Sequence, residues 1–339
     1  MMANTTGAVF RITALWAFSE CALGGVMHAL KIPFTGIIVG GFSVLSIGML
    51  AHVSGRSAAA ILRATLLVVL VKAVVSPHSP PTAYLAVGFQ GLAGALILSR
   101  VRPFALAAYL FGFLAILESA LQKILVLLLF FGKSLFEAFD LFAGGILDDF
   151  GIHNEVSWSV VAAGCYIALY AAWGLVLGYW ITRLPGQLER RAAEYALLNL
   201  SGETVQAPVQ GKKKNRWLMP LLVLVFIVSV FLFAGGKASG AQKAWYAVLR
   251  TAAALLAWFF LLQPVVAWFI HRWAASRSAS EKGAVQQILA SMPEWQASVG
   301  PIYRHVAAKH RGWRRIRAFV IGMFVLAVYD IRETDGQQL

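Results

Sequence analysis

Apolar residues in this chain come in long unbroken blocks, and polar residues gather in the intervals between them. The blocks fall at about residues 12–30, 36–52, 57–75, 81–99, 103–131 and 156–182, then, after a polar interval, at about 217–234 and 244–271. Each reaches the roughly 17–25 helical residues that cross a hydrocarbon layer. An outer-membrane barrel would instead alternate polarity over segments of about ten residues, and that pattern does not occur. The blocks predict an all-α, polytopic membrane protein: a six-helix bundle followed by two or three further membrane helices with amphipathic cytoplasmic helices.

The intervals refine this picture. The fifth block, PFALAAYLFGFLAILESALQKILVLLLFFG, is longer than a span needs and is expected to tilt or to project. It is followed by GKSLFEAFDLFAGGILDDFGIHNE, acidic and rich in phenylalanine. That segment reads either as an amphipathic helix or lid on the membrane surface or as a solvated acidic loop. Residues 183–216 run from a short amphipathic helix into a polar linker and a lysine cluster. The expected division is 1–190 for the six-span bundle, 191–215 for a basic cytoplasmic linker and 216–339 for a C-terminal membrane module. Within that module, 273–312 reads as one or two surface helices broken around Pro293 and Pro301. GWRRIRAFVIGMFVLAVYD then forms either a further span or an interfacial helix.

Composition agrees with the pattern: 59% of the 339 residues are hydrophobic and 13% charged, with mean hydropathy +0.72. A soluble domain carries about twice that share of charge. The net charge of +14 sits mainly between and after the blocks, which makes anionic lipid headgroups the expected partner. Tyr303 and Trp313 interleave with basic residues, but no nucleic-acid motif accompanies them, and no nucleic-acid partner is expected. Arg11, Arg56, Arg100, Arg102, Arg183, Arg190, Arg191 and the cluster Lys212–Arg216 fall on one set of alternate connections. Lys31, Lys133, Lys237 and Lys243 fall on the other. The positive-inside rule then predicts a cytoplasmic N-terminus in a bacterial-type inner membrane. No small-residue cleavage site follows the first block, which is expected to be retained. Cys21 and Cys165 lie in separate blocks and suggest neither a disulfide nor a metal site.

Ionisable groups inside such blocks cost on the order of 3 kcal/mol or more unless they face protein or water, so each is a candidate. On a regular helix Glu20, Gly24 and His28 share a face. Glu20 then either lines a solute site or pairs with a lysine from another helix. Gly24 and Gly25 leave the backbone open to a helix or a ligand. Glu118 and Gln122 sit one turn apart in LESALQKIL. Gln90 lies mid-block among Gly88, Gly91 and Gly94, and His78 sits in the proline-stiffened SPHSPP. Lys72 and Arg63, near block ends, are explained by snorkelling. The histidines His28, His52, His78 and His153 lack zinc-type spacing, and no metal or cofactor is expected. GKS at 132–134 lacks the upstream glycine of a phosphate loop, and no hydrolase or kinase motif occurs, so no enzyme is expected.

ALKIPFTGIIVGGFSVL followed by VVSPHSPPTAYLAVGFQGLAGAL, with six blocks, resembles the substrate-capturing subunit of energy-coupling factor transporters over about residues 10–185. The resemblance implies a solute held near the outer face by Glu20, His28, His78, Gln90, Glu118 and Gln122, with 133–155 as a lid. It also implies contact between Gly24, Gly25 and a coupling subunit that rides on ATPases. Residues 215–339 are similar to a reduced coupling module, implying that Arg277, Arg304 and Arg311 meet an ATPase surface; lipid contact is the alternative. The expected function is uptake of a small solute such as a vitamin, cofactor precursor or cation, with a partner supplying energy. A membrane scaffold and an intramembrane enzyme acting on a lipid-linked substrate are the alternatives.

Overall fold

Helix is the only regular structure among the described residues of the computed structural model, which are 5–29, 35–76, 79–149, 156–196 and 240–329. The chain opens with α1 (Thr5–Phe18), a π-helical turn (Ser19–Leu23) and α2 (Gly24–Ala29). Then come α3 (Thr35–Val53), α4 (Ala58–Val75), α5 (Pro81–Arg100), α6 (Phe104–Phe131), α7 (Lys133–Asp149) and α8 (Trp158–Ala196). After the undescribed interval follow α9 (Gly240–Ala257), a second π turn (Trp258–Leu262), α10 (Gln263–Ala275), α11 (Ala279–Lys309) and α12 (Trp313–Tyr329).

Local chemistry sets these starts. Ser57 caps α4 by accepting from the Ala60 amide, Pro81 opens α5 at a position that needs no N–H donor, and Ser278 with Glu281 forms a reciprocal capping box on α11. Among the described residues six helical stretches are long and apolar enough to cross a membrane: α3, α4, α5, α6, the apolar part of α8, and Val248–Phe269. The chain is therefore a multi-pass helical membrane protein. The expected block at 217–234 lies outside the described residues.

The breaks expected around Pro293 and Pro301 do not occur: α11 runs through both, and α8 runs likewise through Pro185. Each interior proline costs about 3 kcal/mol. In α11 the buried stripe of Val285, Ile288, Trp295, Ile302 and Val306 passes through both prolines. At about 2 kcal/mol per buried side chain, this stripe outweighs the two prolines.

Contacts group the chain into two units. The first comprises residues 1–118, 170–208 and 274–339, the second 119–169 and 209–273. In the first, α1 is the centre. Ala8 and every residue from Ile12 to Ala17 are buried, and α1 meets α3, α4, α11 and α12. The C-terminal helix packs into this unit: Ile321 to Ala327 are buried, and Phe324 stacks on Phe42 at 5.2 Å between ring centroids. α11 and α12 bury their apolar faces against N-terminal helices. Arg11 donates to the carbonyls of Ala327 at 3.0 Å and Val328 at 3.3 Å, satisfying the end of α12. Arg56 does the same for α5 through the Leu98 and Val101 carbonyls.

Glycines close this unit at one crossing. A Cβ on Gly112 of α6 would lie 2.3 Å from the Gly174 carbonyl oxygen of α8. One on Gly178 would lie 2.7 Å from the Tyr109 Cα. The two backbones touch where the spacing Gly174-x-x-x-Gly178 permits it.

In the second unit α7 is a helix, which settles the choice over the acidic segment as far as residue 149. It leaves Leu141 and Phe142 exposed, at 79% and 69%. It is also tied down. Asp140 accepts from the Ser159 amide at 2.6 Å, the Ser159 hydroxyl at 2.9 Å and the Ser157 hydroxyl at 3.0 Å, which caps α8. These donors, led by the Ser159 amide, hold the Asp140 carboxyl below its usual range. Residues 150–155 of the expected lid lie outside the described residues.

Candidate functional site

The first unit encloses a pair of opposite charges. Lys72 of α4 donates to Glu20 Oε2 at 2.6 Å, and Ser43 of α3 donates to Glu20 Oε1 at 2.5 Å. The Lys72 and Glu20 side chains are only 6% and 4% exposed. Snorkelling does not describe Lys72: its ammonium turns inward, where a carboxylate is within reach. The second reading of Glu20, pairing with a lysine from another helix, is the one the structure displays.

The backbone explains the position of Glu20. Gly24 donates its N–H to Ser19, five residues back, so residues 19–23 form a wide turn with one extra residue. One residue rotates a helix face by about 100°. Gly24 and His28 therefore do not follow Glu20 along a single helix face, which corrects the regular spacing assumed from sequence. His28 lies in α2, but the placement of its side chain is outside the described structure, and His78 is outside the described residues altogether.

Other polar groups join the pair. The Cys21 thiol sits beside Lys72, Glu20 and the Ser76 hydroxyl. Tyr84, from the first turn of α5, lies near Cys21 and donates to the Ser76 carbonyl at 3.2 Å. Trp16, earlier on α1, is fully buried with its indole N–H lacking an acceptor among the described residues. α1 through its π turn, α3, α4 and α5 thus each contribute. Lys72 and Ser76 fall at the end of α4, and Tyr84 in the first turn of α5.

The remaining candidates are dispersed over this chain. Gln90 is buried in α5, about 13 Å along the helix from Pro81. Glu118 and Gln122 are half-buried, one turn apart on α6. Gly24 is buried with the nearest atom to a hypothetical Cβ, from Val39, at 3.8 Å, and Gly25 has open space. Neither supports a close helix approach within this chain. Arg304 and Arg311 are exposed, and Arg277 is half-buried. Among the described residues no group of three or more His, Cys, Asp or Glu is placed to hold a metal ion.

A second polar cluster lies beyond the apolar part of α8, which at 39 residues is about twice the length a hydrocarbon layer needs. Glu194 takes Lys309 at 2.9 Å and His305 at 3.1 Å. The Lys309 hydrogen bond leads in holding the Glu194 carboxyl below its usual range, against the opposing effect of burial. Tyr195 beside it donates to the Ala318 carbonyl at 2.9 Å, fastening α8 to α12.

Sequence reasoning found Glu20 and noticed Lys72 without joining them. It missed Ser43, Cys21, Ser76 and Tyr84 as members of the site. Small hydroxyls in apolar blocks were the available signal. Comparison of the chain with protein-family models, with curated proteins and with solved structures finds no match.

Proposed function

We propose that the chain captures a small solute for uptake at the cluster around Glu20 and Lys72, with a partner supplying the energy. One observation carries this reading: two full charges closed away from water at 2.6 Å in an apolar helical unit. Apolar residues of the same volume would hold such a unit together as well or better, so an enclosed pair is weak as a stabilising device. Ionisable groups inside membrane helices mark pathways and binding sites, and π turns recur at functional sites. The unsatisfied indole N–H of Trp16 adds a donor one helical turn before the pair. The reading rests on these residues and not on the resemblance to energy-coupling factor subunits.

The chemistry follows from exchange of partners. A solute with an ammonium or several donors takes Glu20 Oε2 in place of Lys72. Lys72 then turns to an acceptor on the solute or to the hydroxyl of Ser76. An amphoteric solute satisfies both charges at once and pays the least for entering. The chain carries no phosphate-loop motif, and this reading assigns the energy for uptake to a partner.

The test is mass spectrometry of small molecules released from the purified full chain. The wild type is expected to release a solute that Glu20→Leu/Lys72→Met, which keeps the packing, does not. Equal recovery from both proteins would refute the assignment.

The scaffold reading has one observation in its favour: both Glu20 oxygens are already satisfied, by Ser43 and Lys72. In that reading the same double variant retains every function of the wild type.

A further inference from the structure

In the second unit, the last turns of α6 and the first half of α9 bound a cleft of about 570 Å³. Leu125, Leu128, Leu129 and Gly132 form one wall, at spacings that keep them on one face of α6. Arg250 and Ala254, one turn apart, face them from α9, and Lys133 stands at the rim. Gly132 has φ +64°, and a Cβ there would lie 2.0 Å from an Arg250 guanidinium nitrogen. Glycine is what lets the guanidinium rest against the main chain. Among the described residues neither Arg250 nor Lys133 has a carboxylate partner. The cleft therefore has at one end two cations with no carboxylate partner among the described residues, and a leucine wall at the other. The first turn of α7, with N–H groups that have no acceptor in their own helix, opens at the same end.

Its depth in the membrane follows from helix lengths. α6 has 28 residues, about 42 Å, which matches a bilayer including its headgroup layers. The end of α6 at Phe131 is thus at headgroup level. The apolar stretch that crosses next to it in this unit starts at Val248, two residues before Arg250. Leu125 and Leu129 are 63% and 65% exposed, a lipid-facing wall just below the cations.

We propose that this cleft seats an anionic phospholipid, its phosphate on Arg250 and Lys133 and one acyl chain along Leu129, Leu125 and Leu121. A zwitterionic lipid brings its own cation to the same place and gains less from the pair. A free phosphate makes no use of the leucine wall. The site is independent of the solute cluster, and its occupation does not depend on whether that cluster binds anything.

The experiment is native mass spectrometry of the full chain in non-ionic detergent, titrated with dioleoyl phosphatidylglycerol or dioleoyl phosphatidylcholine. Wild type is expected to prefer phosphatidylglycerol. Each of Arg250→Gln and Lys133→Gln lowers that preference about fivefold, and the double variant about thirtyfold, as expected for cations at a membrane surface. Lys123→Gln, which removes an exposed charge elsewhere on α6, leaves it unchanged. Gly132→Ala keeps every charge but displaces Arg250, and it too lowers the preference. Should a charge-neutralised variant fail to fold, Arg250→Lys together with Gly132→Ala carries the test. An unaltered preference in the double variant, an equal loss in Lys123→Gln, or displacement of the lipid by millimolar inorganic phosphate would each overturn the proposal.

Discussion

Replacing Glu20 by Gln leaves the shape of the enclosed cluster almost unchanged and removes one charge. Lys72, 6% exposed, then faces an amide where it faced a carboxylate. Removing one member of an enclosed ion pair costs about 3–5 kcal/mol, because the other charge keeps its desolvation penalty without its compensation. Lys72→Met alone strands Glu20 in the same way, softened by the Ser43 hydroxyl at 2.5 Å. Glu20→Leu/Lys72→Met strands nothing, and comparable replacements in other proteins are neutral or stabilising. Glu20→Leu strands Lys72 as Glu20→Gln does, so Glu20→Leu and Lys72→Met are each expected to cost about 3–5 kcal/mol and the double change almost nothing, a coupling of about 6 kcal/mol or more. The assay is thermal unfolding of the full chain in detergent, followed by circular dichroism. At about 2–3 °C per kcal/mol for a chain of this size class, each single variant melts roughly 6–15 °C below wild type, and the double variant melts close to it. Additive losses, or a Glu20→Gln protein that melts with the wild type, would refute the enclosed pair and with it the proposed function.

Other residues make further predictions. Gly174→Ala puts a methyl 2.5 Å from the Gly112 carbonyl oxygen. It is expected to cost about 1–3 kcal/mol by overpacking, read as a lower melting temperature, while Gly25→Ala, in open space, changes nothing comparable. Asp140→Asn is expected to speed amide exchange in the first turn of α8, measured by hydrogen exchange. Its lowered carboxyl pKa means the folded chain holds that proton less tightly than the unfolded chain. The cap is therefore complete above the ordinary carboxylate value of 3.8, is lost as pH falls through the folded value, and the variant lacks this acid dependence. Arg11→Leu leaves the Ala327 and Val328 carbonyls without their donor. It is expected to expose the end of α12 to proteolysis sooner than the rest of the first unit.

The straight spans were legible almost to the residue. The blocks at 36–52, 57–75, 81–99 and 103–131 are α3 to α6 within a residue at each end, because apolar runs end where Ser57, Pro81 and the polar intervals stand. Less visible was anything decided by a neighbour. The direction of Lys72 depends on a carboxylate fifty-two residues earlier, and the same side chain near a span end would snorkel if Glu20 were absent. The π turn has no composition of its own: SECAL would pass for ordinary helix. Pro293 and Pro301 read as breaks because the stripe that overrides them acts only once packed. Gly174 and Gly178, at the spacing of a close-approach motif, were readable from the sequence.

Arg11 holding the carbonyls of Ala327 and Val328 has a consequence for how the protein is made. Arg11, on the helix at the centre of the first unit, is translated 316 residues before Ala327 at the end of its last neighbour. At the usual pace of synthesis the delay is on the order of tens of seconds. Throughout that time Arg11, Thr13, Ser19 and Glu20 sit on a helix with an incomplete wall around it. Assembly of this unit therefore waits for α12, and a chain released before α12 emerges leaves α1 without a finished socket.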